Sequence, residues 1–363
     1  MVGFQRNSGY DSYGKEQGYN APVITSTEFA YVTGLNTLLK SNSQRITIGD
    51  ATTVFWSAKK TVFECDFSAI FAEPHKDNPE ENAYKIKSLY ESVNSGAFIS
   101  DEGKSLFYVL GLAPNAARIS IRFWQVGTVA EFAERIKTHF DDLSIIKPSR
   151  EPEHYSIYQL LKNIAPQDEI KNIPPNIAGD FIRSILTGAP YPVTLLQAAL
   201  RRIHSDTEFR VKPVRAALIK AYLNRYHKNH INPNHEELRM SLDETNPSPG
   251  YQFGRLFAVL EKCQFIAQGD INSTIVDRYY SSASSTPSVA FPILIRMNQQ
   301  HLSKFENPKI KNSARNLIES IVANIGDFKP HLNLHEQGRF AIGYYHQRAV
   351  SGFSPKKETS TEN

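Results

Sequence analysis

The hydrophobic pattern along the chain changes near residue 148. Before it, short runs of β-branched and aromatic residues stand between helical patterns; the runs are RITIG, TTVFW, KTVFEC, SLFYVLGL and ARISIRFWQV. After it, apolar residues recur at helical spacing and strand signals are nearly absent. This order predicts an α+β fold, in which an N-terminal domain with a mixed antiparallel sheet precedes a mainly α-helical region that ends in a C-terminal helical bundle.

Two helix starts can be seen in the N-terminal part. Thr25 and Glu28 have the spacing of a capping box and predict a helix that begins at this threonine. Thr128 and Glu131 have the same spacing and predict a helix that runs through Leu143. In the first helix, the apolar stripe that we expect to be buried consists of Phe29, Val32, Leu35, Leu38 and Leu39.

Nine segments of the second part have helical periodicity. They are residues 155–164, 176–187, 193–204, 212–229, 251–268, 272–281, 287–303, 309–325 and 334–349. The stretch 230–250 is dense in Asn, Pro and Ser and predicts a linker. We therefore predict three domains, which are an α+β domain with an N-terminal loop (1–147), a helical middle region with a basic face (148–239) and a C-terminal helical bundle (240–363).

Composition and charge narrow the class of protein. The chain has 363 residues, 41 Lys and Arg against 37 Asp and Glu, and a formal net charge of +4. Its start has no apolar segment typical of a secretory signal, and no apolar run reaches the roughly 20 residues that a membrane span requires. The two cysteines form neither a disulfide framework nor a zinc site. These features predict a cytoplasmic protein.

A search for catalytic motifs finds none. The chain has no phosphate-binding loop, no dinucleotide fingerprint, no nucleophile elbow and no H-E-x-x-H zinc motif. The segment 101–104 (DEGK) resembles a nuclease cluster only faintly, and a solvated turn explains it better. His331, His335 and His346 lie near one another in sequence, but no cysteine or paired carboxylate accompanies them. We expect no enzymatic activity, no metal and no cofactor.

Basic residues are concentrated between positions 201 and 239. This stretch contains nine Lys or Arg and four acids, so a basic face that tracks a phosphate backbone is one interpretation. The alternative is an ordinary solvated helix face. The residues that we predict to contact nucleic acid here are Arg201, Arg202, Lys212, Arg215, Lys220 and Arg225.

Further candidates for nucleic-acid binding lie in three other places. The C-terminal region offers cations beside aromatic residues, and Tyr279, Tyr280 and the hydroxyl-rich segment 281–288 could bind bases and phosphates, although the tyrosines could equally belong to the core. These cations are Arg255, Lys262, Arg278, Arg339 and Arg348. Near the start, a Gly-punctuated loop carries Lys15, Gln17 and Asn20, which could contact base edges or phosphates, or be purely structural.

Long and unusual strings carry a resemblance to a known family. They are YGKEQGYNAPV, ITIGDATTVFWSA, LFYVLGLAPNAARISIRFW, YQFGRLFAVLEKCQ, DRYYSSASSTPSVAFPILIRMNQQHLSKF and PHLNLHEQGRFAIGYYHQR. Together they resemble the large subunit of the type I-C CRISPR Cascade surveillance complex, from residue 13 to residue 348. Members of that family carry a further N-terminal domain before the first string, and PAM recognition is largely assigned to that domain.

The resemblance implies a function and a set of partners. The chain would be a non-catalytic subunit that joins other Cascade subunits and crRNA, binds target double-stranded DNA near the PAM, steadies the displaced single strand and helps to recruit the helicase–nuclease. Base pairing with the guide would supply sequence specificity, while the protein contacts backbone and PAM. An alternative from another class is a stand-alone metal-dependent nuclease, or another nucleic-acid hydrolase, whose carboxylates are dispersed along the sequence.

The resemblance also implies a second, shorter product. In type I-C systems the small subunit is made by internal translation of the large-subunit gene. The chain has three methionines, and Met240 lies in the predicted linker directly before the C-terminal bundle. We therefore predict a second product that starts at Met240 or at a start codon nearby.

Overall fold

The structure, a computed structural model, describes residues 23–48, 51–71, 73, 79–96, 102–115, 118–206, 210–232 and 237–350. Within these ranges, four antiparallel strands form one sheet in the order of the sequence. The strands are β1 (Arg45–Ile48), β2 (Ala51–Ser57), β3 (Leu106–Asn115) and β4 (Arg118–Thr128). Because each strand pairs antiparallel with its sequence neighbour, no crossover connection is needed. Two helices of the described ranges lie between β2 and β3 in the chain.

Phenylalanines bury one face of this sheet. Phe55 and Phe107 are fully buried, and their rings lie 4.7 Å from Phe67 and 5.6 Å from Phe132, respectively. Phe67 belongs to α2 (Val62–Phe71) and Phe132 to α4 (Val129–Leu143), so these two helices cover the inner face. The remaining helices of this part are α1 (Thr25–Lys40) and α3 (Pro79–Asn94).

The capping box predicted at the start of α4 is confirmed. The Thr128 hydroxyl accepts from the Glu131 N–H at 3.2 Å, and the Glu131 carboxylate accepts from the Thr128 N–H at 2.8 Å. The backbone hydrogen bond at Thr128 is also the main reason why the pKa of Glu131 is lowered. Two otherwise unpaired N–H groups at the start of this helix are thereby satisfied.

Three predictions about the N-terminal part are wrong. The run KTVFEC is not a strand, since most of it forms the first turn of α2. Its phenylalanine is followed by Phe67 and Phe71 at intervals of four residues, and this spacing fits a helix as well as a strand. The first helix is capped by Ile24 without a side-chain bond, so its predicted capping box is not formed. Its apolar stripe is also not buried, since Phe29 is 73% exposed and Leu35, Leu38 and Leu39 are only half-buried.

All nine predicted helices of the second part are present in the described ranges, which confirms the predicted fold class. They are α5 (Ile157–Ile164), α6 (Pro175–Thr187), α7 (Val193–Ser205), α8 (Pro213–His230), α9 (Pro249–Gln268), α10 (Ile275–Ser285), α11 (Pro287–Ser303), α12 (Pro308–Ile325) and α13 (Leu334–Ala349). The hydroxyl-rich segment 281–288 belongs largely to α10. Within this helix, the Ser284 and Ser285 hydroxyls donate to the Ser281 carbonyl one turn earlier.

Helix α8 lies at the centre of the helical part. Every residue from Val214 to Arg225 is buried, and the helix contacts α4, α5, α7 and α13. It therefore connects the sheet-bearing part to the C-terminal helices.

Helices α9 and α13 pack closely because glycines line their contact. A Cβ added at Gly254 would overlap the Phe340 carbonyl oxygen, and one added at Gly343 would overlap the Tyr251 carbonyl oxygen. Only glycine permits the two backbones to approach so closely.

Buried residues from all three predicted domains join one continuous hydrophobic core. The division at residues 147/148 and 239/240 stays a prediction, and what the structure adds is that apolar contacts cross both positions. Polar contacts cross them too, since the Ile146 N–H donates to the Met240 carbonyl at 2.8 Å and the Tyr345 hydroxyl donates to the Ile146 carbonyl at 2.6 Å. None of the helices in the described ranges is long and apolar enough for a membrane span.

Candidate nucleic-acid interface

The cations of α8 point into the protein, so the predicted basic face on this helix is wrong. Arg225 Nε lies 2.5 Å from Asp142 Oδ2, and these side chains are only 4% and 2% exposed. Lys228 approaches the same carboxylate at 3.5 Å, and Lys220 donates to the Asp142 carbonyl at 3.0 Å. Arg225 also lies over the Tyr191 ring, 4.2 Å from its centroid. These cations neutralise a buried aspartate of α4 instead of facing solvent.

A second internal cluster holds two more of the predicted contacts. Asp206 lies 2.9 Å from Arg202 and 2.6 Å from Arg215, and Asp168 completes the cluster at 3.1 Å from Arg202. Arg215 is fully buried and donates to the Asn163 carbonyl at 2.7 Å. Burial lowers the pKa of Arg215, while Asp206 acts in the opposite direction. Charged groups this deep require partners, which the aspartates supply.

Arg255 and Arg339 also have internal partners. Arg255 is 2% exposed and donates to the Gln347 side chain and the Glu244 carbonyl, both at 3.0 Å. Arg339 pairs with Glu237 and, at 2.7 Å, with Glu336. Burial works to lower the pKa of Arg339, but these two carboxylates outweigh it and raise the pKa. As placed here, both arginines are structural.

The aromatic residues beside these cations belong to the core. Tyr280 is 1% exposed, and its ring lies 5.4 Å from Phe340 and 5.3 Å from Tyr344. His346 is equally buried and accepts from or donates to the Tyr251 hydroxyl at 2.9 Å. Among the described residues no three His, Cys, Asp or Glu side chains are grouped so that they could hold a metal ion.

Two predicted residues that are far apart in sequence meet in one groove of about 380 Å³. Lys212 and Arg348 line it together with Arg150, which the sequence argument missed. Arg150 is exposed, and the Arg348 side chain is 47% exposed although it approaches Glu261 at 3.5 Å. The groove thus brings three cations to one surface beside the single carboxylate of Glu151.

The other predicted residues lie elsewhere. Arg201 is exposed at a cavity of about 450 Å³ on the far side of α5, together with Arg202. Arg278 is exposed and donates to the Ser273 hydroxyl at 2.9 Å, and Lys262 is half-buried, which lowers its pKa. Lys15, Gln17 and Asn20 lie outside the described residues. For the residues that face solvent, nucleic-acid binding stays a prediction.

A basic segment at the start of α12 was missed altogether. Lys304, Lys309, Lys311 and Arg315 carry four positive charges within twelve residues, against the single acid Glu306. All but Lys311 are exposed, and none of the four forms an ion pair within the described part of the chain. Cations in the first turns of a helix oppose its dipole, so this segment does not stabilise the helix by itself. A charge count over residues 304–315 would have found these cations, but not their exposure.

The fold and the surface cations together define the structural class of the protein. The chain is an α+β protein with a helical bundle, and two of its surfaces, the start of α12 and the groove beside α5, each carry several cations. The comparison with protein families then identifies the family. The model of the CRISPR-associated protein family Cas_Csd1 matches residues 1–351, and the chain belongs to this family. No curated protein matches the chain.

Proposed function

We propose that the chain is the non-catalytic large subunit of a type I-C Cascade complex. It binds target double-stranded DNA near the PAM, steadies the displaced single strand and helps to recruit the helicase–nuclease, while it contacts the other Cascade subunits and crRNA in the cytoplasm. Membership of the CRISPR-associated family over nearly the whole chain supports this proposal. The strings quoted above supply the finer assignment to type I-C and to the large subunit.

The observation that carries the DNA-binding part is the contrast between two sets of cations. Arg215, Lys220 and Arg225 are buried against acids or carbonyls, whereas Lys309 and Arg315 face solvent without an ion pair in the described ranges. A cation that already neutralises a buried carboxylate cannot also neutralise a phosphate. DNA contacts are therefore expected on α12 and at Arg150 and Lys212 in the groove, because neutralising phosphates there releases counterions.

Co-purification tests the proposal. The chain is co-expressed with the type I-C backbone subunits and a guide RNA, and the complex is isolated through a tag on another subunit. The expected result is a complex that contains the chain and binds target DNA less tightly as salt rises. Failure of the chain to join the complex would contradict the proposal.

A triple variant locates the DNA contacts. Lys309→Ala, Lys311→Ala and Arg315→Ala together should reduce the slope of log K against log salt by up to about 3, at ~0.9 for each lost phosphate contact. The matched control removes Lys85 and Lys171, which are exposed but already paired with Glu81 and Glu169 at 2.7 and 2.6 Å. Equal slopes for the triple variant and the control would exclude α12 as the DNA contact.

The nuclease alternative is tested on the same preparation. The purified chain is incubated with labelled DNA and Mg²⁺ or Mn²⁺, with and without a chelator. No turnover is expected. Metal-dependent cleavage that co-elutes with the chain would overturn the non-catalytic assignment.

A further inference from the structure

The outer face of the sheet carries three aromatic rings in mutual contact. Trp56 of β2 lies opposite Tyr108 of β3, and their rings are stacked with centroids 5.2 Å apart and planes 12° apart. Trp124 of β4 joins them, 5.6 Å from Trp56 and 6.1 Å from Tyr108. Trp124 is 48% exposed, and Trp56 and Tyr108 are half-buried. The inner phenylalanine face is fully buried, so this cluster is a second aromatic surface that faces outward.

Apolar residues extend this aromatic surface along the strands. Val126 pairs with Tyr108 and is 45% exposed, and Leu106, two residues before Tyr108, is 44% exposed. Side chains two residues apart, or directly opposite one another, lie on the same side of a sheet. Large apolar side chains that are exposed next to one another indicate a binding surface, whereas single scattered ones are common on any protein.

The charges around the surface are positive. Arg45 of β1, which donates to the Leu39 carbonyl at 2.7 Å, and Arg122 of β4 are both exposed. Lys59 and Lys60, two and three residues after the end of β2, are exposed. Two acids that are close to β2 and β3 in sequence have partners, because Glu64 accepts from Ser57 and Gln44, and Glu102 accepts from the Val62 N–H at 2.7 Å. The surface therefore combines stacking rings with an excess of cations.

We propose that this sheet face binds single-stranded nucleic acid, with unpaired bases stacked on Trp124, Tyr108 and Trp56 and phosphates directed to the flanking cations. Aromatic side chains on an antiparallel sheet present flat rings to bases, and stacking accepts any base because every base has a π-face. A duplex keeps its bases stacked on one another and offers mainly phosphates, so it would leave these rings unused. The expected strand is the displaced strand of the target DNA, and this choice rests on the proposed function.

The two tryptophans make a direct measurement possible. The chain contains only two, Trp56 and Trp124, and both belong to the proposed site. Tryptophan fluorescence of the full chain is titrated with an unstructured deoxythymidine oligonucleotide, with the matching oligouridine and with a duplex of the same length. We expect strong quenching by the deoxythymidine oligonucleotide and little by the duplex. Quenching by oligouridine alone would overturn the assignment to a DNA strand.

Substitutions at the surface test the role of the rings. Trp124→Ala should weaken single-strand binding, measured by anisotropy of a labelled oligonucleotide, about tenfold, within the range found for loss of one stacked base. Trp124→Phe should retain most of the affinity. Tyr84→Ala is the matched control, because Tyr84 is an aromatic residue of α3 that is 73% exposed. Near-ultraviolet and far-ultraviolet circular dichroism verify that each variant is folded.

The outcomes separate this inference from the proposed function. If the chain joins the complex and binds DNA with the expected salt dependence, but Trp124→Ala binds single strands as tightly as Tyr84→Ala, the inference is wrong and the proposed function stands. A fluorescence change that depends on protein concentration and not on oligonucleotide would show that a second copy covers the face, and this also overturns the inference. Single-strand affinity that falls in Trp124→Ala and is kept in Trp124→Phe supports it.

Discussion

Replacing Arg225 tests whether the buried cations of α8 are structural. In Arg225→Met the side-chain volume is nearly kept but the charge is lost, so Asp142 remains buried at 2% exposure without its closest partner. Removing one member of a buried ion pair costs about 3–5 kcal/mol. Lys228 still approaches Asp142 at 3.5 Å and is 33% exposed, which places the expected loss at the lower end, ~3 kcal/mol.

The assay for this prediction is urea unfolding of the full chain. A lower midpoint at an unchanged slope gives the loss of stability. The matched control is Lys309→Met, an exposed cation without an ion pair in the described ranges, which should change stability by less than about 0.5 kcal/mol. DNA binding should respond in the opposite way, since Lys309→Met lowers the salt slope by ~0.9 and Arg225→Met leaves it unchanged.

Two results would refute this reasoning. A stability loss below about 1 kcal/mol in Arg225→Met would mean that the pair with Asp142 is not buried as described. A reduced salt slope in a folded Arg225→Met would mean that Arg225 reaches phosphate after all. The double variant Asp142→Asn with Arg225→Met should cost less than the sum of the two single variants, because each single change leaves the other group unpaired.

Three further predictions concern stability and expression. Burial holds the pKa of His139 well below its ordinary value and, with help from Lys220, lowers the pKa of His346 to about 3. Below pH 6.5 the unfolded chain therefore binds protons that the folded chain does not, and the free energy of unfolding should fall by ~1.4 kcal/mol for each histidine between pH 7.5 and pH 5.5. His346→Gln should reduce this loss in urea titrations. Gly254→Ala should destabilise by about 1–3 kcal/mol because its Cβ meets the backbone of α13, whereas Gly34→Ala, with nothing within 4 Å, should be neutral or stabilising by melting temperature. Met240 is 56% exposed, so Met240→Leu should leave the long product intact and remove a short band on an immunoblot, and persistence of that band would indicate proteolysis or another start codon.

Local patterns were sufficient for most of the secondary structure. Helical periodicity located all nine helices after residue 150 in the described ranges, and Thr128 with Glu131 marked the start of α4. These features depend on residues three or four positions apart, so the sequence contains them directly. The segment KTVFEC failed because a short apolar run fits a strand and a helix equally well, and only packing of α2 against the sheet decided it.

The fate of the charged residues was decided by tertiary structure alone. The excess of bases in 201–239 predicted a basic face, but Asp142 and Asp168 come from other segments and neutralise these cations inside the protein. The aromatic surface of Trp56, Tyr108 and Trp124 is likewise assembled from three strands that no short pattern relates. Burial and ion pairing depend on which distant segments meet, and a charge or ring count within one window contains no information about that.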